Sequence, residues 1–167
     1  MKVRERSSQV RPARWDRIPE DLIHDAYKQP GQAPAVASCP ACHAVLLKGR
    51  WQWRAVPPGA KALMCPACHR VADHVPAAQL TLDGAFQQAH RDEILGLVRH
   101  REALMRESHP MERIMATQAQ ADRITITTTG FHLARDIGSA VHHAYRGKLE
   151  IDYPDADEIL YVHWHRA

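Results

Sequence analysis

DRITITTTGFHLARDIGSAVHHAYRGKLEIDYPDADEILYVHWHR, residues 122–166, carries the clearest structural pattern in the chain. Its β-branched opening, DRITITTT (122–129), reads as a strand. Gly130 then leads into FHLARDIGSAVHHAY, where Leu133, Ile137, Ala140, Val141 and Ala144 share one helical face. Gly147 stands where a helix C-terminal cap belongs. KLEIDY alternates apolar with polar residues, PDAD is turn chemistry, and EILYVHWHR alternates again. The order is therefore β-α-β-β. A period of two assigns the faces. Ile124, Ile126, Leu149, Ile151, Tyr153, Leu160, Val162 and Trp164 belong under the helix. Arg123, Thr125, Thr127, Lys148, Glu150, Asp152, Tyr161, His163 and His165 belong on a face that a small mixed or antiparallel sheet can leave wet.

Upstream, Asp83 is a good N-cap for a long helix, GAFQQAHRDEILGLVRHREALMRE (84–107), whose Phe86, Ile94, Leu97, Val98, Leu104 and Met105 recur at helical spacing. Ser108, His109 and Pro110 read as a break and a restart into a short helix, PMERIMATQ. At the other end, residues 1–18 are charged and poor in apolar periodicity, as a disordered tail is. Pro19 opens a short helix, PEDLIHDAYK, and QPGQAPAVA (29–37) is a linker. The chain divides into a tail, short helix and linker (1–37), a cysteine module (38–82) and an α-β-α-β-β domain (83–167). The expected fold class is α+β.

The cysteine module carries the strongest chemical signal. Cys39 and Cys42 form one Cys-x-x-Cys knuckle and Cys65 and Cys68 a second, with 22 residues between. Each knuckle turns two thiolates towards one ion, and two knuckles complete a closed tetrahedral shell, as in structural zinc sites. One structural Zn2+ is expected, with iron in a four-thiolate cage the main rival. A thiol redox pair would need only one such motif on a βαβ scaffold. Pro57-Pro58-Gly59 supplies the turn of a hairpin between the knuckles. HRVADHVP (69–76) intervenes before any helix can start, which favours a zinc ribbon over a treble-clef finger.

The net charge is only +3 over 167 residues, but it is unevenly placed. Lys2, Arg4, Arg6, Arg11, Arg14 and Arg17 face only Glu5 and Asp16 in residues 1–17. Lys48, Arg50, Arg54, Lys61 and Arg70 face only Asp73 in residues 39–76. Such asymmetry points to a polyanionic partner. Trp51 and Trp53, two apart and so on one strand face, stand among these cations. Cations for phosphates with indoles for stacking suit an RNA surface. Lys48, Arg50, Trp51, Trp53, Arg54, Lys61 and Arg70 are accordingly the candidate RNA-binding set, and packing of the tryptophans against a neighbouring helix is the competing reading.

Other classes have less support. No apolar run is long enough for a transmembrane helix, and the basic N-terminus lacks the apolar core of a secretory signal. A reducing cytoplasm is the expected compartment. Among twelve histidines, His163 and His165 share a strand face without an evident third ligand, and His43 and His69 follow the knuckles as candidate hydrogen-bond donors near the sulfurs. TTTG (127–130), at a helix N-terminus, could hold a phosphate, though it is not a P-loop and N-capping by its hydroxyls explains it equally well. No paired carboxylates and no nucleophile elbow compel an enzyme, and no recognition helix suggests a DNA-binding regulator.

CPACHAVLLKGRWQW, CPACHR, LDGAFQQAHRDEI, HPMERI and ITITTTGFHLARDIGSAVHHAYRGKLEIDY together resemble a group of small bacterial zinc-ribbon proteins, the NMD-type proteins described as affecting ribosome stability and mRNA decay. The likeness covers about residues 15–166. That group is distantly similar to the adaptor that escorts the large ribosomal subunit in archaea and eukaryotes. The resemblance implies metal ligation by Cys39, Cys42, Cys65 and Cys68. It also implies association with a ribosomal subunit or structured RNA, with a protein partner as the alternative.

Overall fold

A computed structural model of the chain describes Tyr27, residues 33–152 and residues 159–167. The expected basic tail, most of the helix opened by Pro19, Tyr153 and the PDAD turn lie outside these residues. Within them the protein is mixed α/β, with four helices and two mixed sheets.

The smaller sheet holds β1 (Val36–Ser38), β2 (Val45–Leu47), β3 (Arg50–Gln52) and β4 (Lys61–Ala62), in the order β3-β2-β1-β4. Its hairpin turn is not at Pro57–Gly59. It is the two-residue turn Lys48–Gly49 between β2 and β3, with φ of 51° and 73°. Positive φ at both positions matches the twist of a tight hairpin, and glycine takes it without strain. The prolines instead shape the approach to β4, which pairs parallel with β1. The sheet also begins at Val36, inside the expected linker.

Directly after β4, α1 (Pro66–Asp73) starts inside the second knuckle. This corrects the expectation that HRVADHVP separates the knuckle from any helix. Cys65 is the N-cap, its sulfur accepting from the Cys68 N–H, and Pro66 fills the first helical position, where a missing N–H costs nothing. The order is knuckle, hairpin, helix.

The larger sheet runs β6-β7-β5-β9-β8, built from β5 (Ala78–Asp83), β6 (Ile114–Ala119), β7 (Arg123–Thr128), β8 (Lys148–Asp152) and β9 (Leu160–His165). Only β5 and β9 pair in parallel. The helices are α2 (Ala85–Ala89), α3 (Arg91–Ser108) and α4 (Phe131–Tyr145). α4, β7, β8 and β9 fall where the alternation places them. Ile124, Ile126, Leu160, Val162 and Trp164 are buried, while Leu149 and Ile151 are half-buried against the same core as Leu133, Ile137 and Val141 of α4. On the opposite face Arg123, Lys148, Glu150, Asp152, Tyr161 and His165 are exposed.

Three expectations need correction. Residues 78–83 belong to the centre of this sheet and not to the cysteine module; AQLTLD alternates strictly, burying Ala78, Leu80 and Leu82. Asp83 therefore ends a strand and does not cap the long helix. Gly84 makes that corner at φ 103°, where a Cβ would run into the Arg166 carbonyl. The long helix is itself divided at His90, and nothing in the residue pattern there accounts for the break. Finally, PMERIMATQ is not a helix: PMER forms a turn and IMATQ enters β6. Its Met, Glu, Ala and Gln favour helix, but pairing with β7 along a sheet edge overrides that weak local preference.

α4 sits close on the sheet because residue 138 is glycine. A Cβ there would lie 2.8 Å from Val162 Cγ1 and 3.2 Å from Leu149 Cδ1. Gly138→Ala is expected to lose about 1–3 kcal/mol by overpacking. Gly96→Ala, in α3 with nothing within 4 Å of the added carbon, should gain about 0.5–1 kcal/mol from helix propensity. Urea unfolding of the two variants checks both signs.

Candidate metal centre

Cys39 follows β1 directly, and the chain turns back on itself there. The Cys39 N–H donates to the Ala44 carbonyl and the His43 N–H to the Cys39 carbonyl, both at 2.9 Å, with His43 at φ 65°. The second knuckle is the first turn of α1. The Cys65 N–H donates to Cys39 Sγ at 3.4 Å, which joins the two knuckles through backbone. All four sulfurs lie within 4.8 Å of one another, and Cys42 Sγ to Cys65 Sγ is 3.7 Å. Tetrahedral coordination with metal–sulfur bonds of about 2.3 Å separates sulfurs by about 3.8 Å. No pair is a disulfide. The cluster could hold one metal ion.

The thiols differ in acidity. Burial works against ionising Cys39, but backbone N–H groups of Cys65, Cys42 and Ala41 outweigh it and bring Cys39 down to about 7. Burial pushes Cys42 up, and it pushes Cys65 far up with help from the charges of Cys42 and Cys39. Repulsion among sulfurs so close opposes full ionisation, and a bound cation removes the opposition.

The surroundings come from near and distant parts of the chain. Trp51, Met64 and Met111 pack against the cluster of Cys39, Cys65 and Ala67. An Arg113 Nη2–H reaches Cys68 Sγ at 3.2 Å and Cys65 Sγ at 3.4 Å. Arg113 belongs to the turn before β6, which is fastened to the larger sheet. Its N–H donates to Thr129 Oγ1 at 2.9 Å, and the Thr129 hydroxyl donates to the Met111 carbonyl at 2.6 Å. The neighbouring Glu112 is buried, and its Oε2 accepts the Leu133 N–H of α4 at 3.0 Å. That carboxylate takes the place a phosphate would have had above TTTG; a Cβ on Gly130 would collide with it. The reading of TTTG as a phosphate site is thereby replaced by an internal cap, in which the carboxylate takes the Leu133 amide and complements the helix dipole.

The candidate RNA-binding residues divide. Lys48, Arg50, Arg54 and Lys61 are exposed, with Arg50 on β3 and Lys61 on β4 at opposite edges of the small sheet. Arg70 is buried; its Nη1–H donates to the Val75 carbonyl at 3.2 Å, and its guanidinium lies 4.6 Å from the centre of the Tyr27 ring. Trp51 is half-buried against the cysteines. Trp53 lies beyond β3, and its indole N–H donates to the Arg106 carbonyl of α3 at 2.6 Å. Both tryptophans thus have packing roles.

Among the histidines, His69 faces Tyr27 at 6.2 Å between ring centres, and the side chain that meets the sulfurs is Arg113. His163 and His165 share one partner, Asp83. His163 Nε2 is 2.8 Å from Oδ2, and His165 Nδ1 is 2.6 Å from Oδ1. The parallel register of β5 with β9 sets Asp83 beside His165. Among the described residues the four sulfurs are the one set of donor atoms close enough to share an ion. No helix of the described residues is long and apolar enough to cross a membrane. Comparison of the chain with models of protein families, with curated proteins and with solved structures found no match.

Burial opposes ionisation of Asp83, but hydrogen bonds from His165 and then His163 win and hold its carboxyl below the usual range. A depressed acid adds stability above its unfolded value of about 4, and that contribution disappears as pH falls through the folded value. Asp83→Asn should cost about 1 kcal/mol at pH 7, since both rings are half-exposed. The difference in Tm from wild type should narrow below about pH 4. A cost that stays constant down to pH 2 would mean that Asp83 contributes no such linkage.

Proposed function

We propose that this protein is a zinc-binding, non-catalytic RNA-associated protein of the zinc-ribbon kind, which grips ribosomal RNA or a ribosomal subunit through the phosphate backbone. Four thiolates close the shell and leave no open position for chemistry, which suits a structural ion such as zinc. The observation that carries the reading is the surface around the metal centre. Lys48, Arg50, Arg54 and Lys61 are exposed, and among the described residues none of them forms an ion pair. The resemblance of the sequence to ribosome-associated NMD-type proteins supports the same partner, and persistent thiols suit a cytoplasmic setting. Because the tryptophans are engaged in packing, contact is with phosphates and not through base stacking.

Exposed Val56, Val71 and Val75 on the same module favour a second reading, a docking module for another protein. Density-gradient sedimentation of lysate separates the two. Wild type should travel with a ribosomal fraction, and Cys65→Ser and Arg50→Glu/Arg54→Glu should stay at the top. Co-sedimentation that survives the double charge reversal would shift the case to the protein partner. With purified RNA, four phosphate contacts predict that log affinity falls with log salt at a slope of about −3 to −3.6. A slope near zero is incompatible with an ionic grip.

A further inference from the structure

Four thiolates around one divalent ion leave two net negative charges, set in a pocket walled by Trp51, Met64 and Met111. Charge in such surroundings is costly unless it is paired. The module that supplies the cysteines does not supply that pairing. Its exposed cations point to solvent, and Arg70 is engaged with the Val75 carbonyl and the Tyr27 ring. The pairing comes from the other sheet, through Arg113.

Arg113 needs the sulfurs as much as they need it. Among the described residues no carboxylate pairs with it, and its Nε–H is buried without a partner. Its remaining compensation is the pair of N–H···S contacts to Cys65 and Cys68, both on the knuckle that opens α1. Its backbone is fixed from the opposite side, by the exchange with Thr129 and by Glu112 capping α4. Hydrogen bonds to thiolates stabilise the ionised ligand and withdraw charge from it. We propose that Arg113 is a positioning residue of the metal centre: it brings from the larger sheet the cation that the loaded thiolate cage lacks, and so keeps the ion in the cage and the cage on the sheet. The proposal rests on metal occupancy of the four cysteines.

The test uses the full chain loaded with Co2+, whose sulfur-to-cobalt charge-transfer band reports on the thiolates, and follows transfer of the ion to a chromophoric chelator. Arg113→Ala should release cobalt about 10- to 100-fold faster than wild type, the usual cost of losing a residue that orients metal ligands. Its charge-transfer band should move to lower energy as the sulfurs lose their donors. Arg113→Lys keeps the charge but gives up the two-sulfur fork, so it should fall between. Glu102→Ala is the control. Its carboxylate holds the chain at the residue after Arg113, accepting the Ile114 N–H at 2.8 Å without touching a sulfur. It should leave rate and band unchanged. If Arg113→Ala does not fold, the lysine variant carries the test. Wild-type rates and an unmoved band in the arginine variants would overturn the proposal, as would Glu102→Ala releasing cobalt as fast as Arg113→Ala. A wild-type chain that takes up no cobalt would sink the metal reading itself, which is a separate result.

Discussion

Four sulfur atoms crowded within 4.8 Å set the terms for the smaller sheet and the helix that follows it. The small sheet has strands of only two or three residues and few large buried side chains, so its own core is slight. Pieces of that size depend on a staple. The staple is electrostatic as well as geometric, because thiolates at this spacing repel unless cations neutralise them. The turn 111–113 makes that local condition a concern of the whole chain. Met111 lies on the cysteine cluster, Glu112 on the start of α4 and Arg113 on the second knuckle. The outer two side chains thus face the cysteines, while the one between them faces α4.

The legible parts of the sequence are those where one local rule decides the outcome. β7, α4, β8 and β9 alternate or repeat with a single buried face, and the structure follows them. The two Cys-x-x-Cys knuckles converge because their spacing allows little else. What escaped was decided by distant partners. β6 carries helix-favouring residues and shows almost no buried face, so only its pairing with β7 makes it a strand. α1 was hidden by treating CPAC purely as a ligand motif, although a cysteine followed by proline is also an N-cap and first-turn signal. β5 alternates as clearly as β7, yet its nearness to the cysteines drew it into the wrong module.

The candidate site divides along the same line. The clustering of the four cysteines was readable and four of the five module cations are on the surface, but the fifth, Arg70, is interior. Arg113 left no local mark, lying 45 residues from Cys68 and 48 from Cys65. Glu112 was equally invisible, since its carboxylate serves a helix that begins 19 residues later. Asp83 was assigned to a helix cap and instead joins two histidines some 80 residues away.

That last separation has a bearing on how the molecule comes into being. β5 is the central strand, yet one of its two flanks is β9, reached only after α2, α3, β6, β7, α4 and β8 have passed. During synthesis the β6-β7-β5 part of the sheet can assemble early, while one edge of β5 stays open until residues 160–165 emerge. Parallel pairing over so long a loop is slow to close, and an open central edge invites mispairing. The chain therefore emerges with its middle unfinished, and the strand carrying Trp164, the largest fully buried side chain, is the one that completes it.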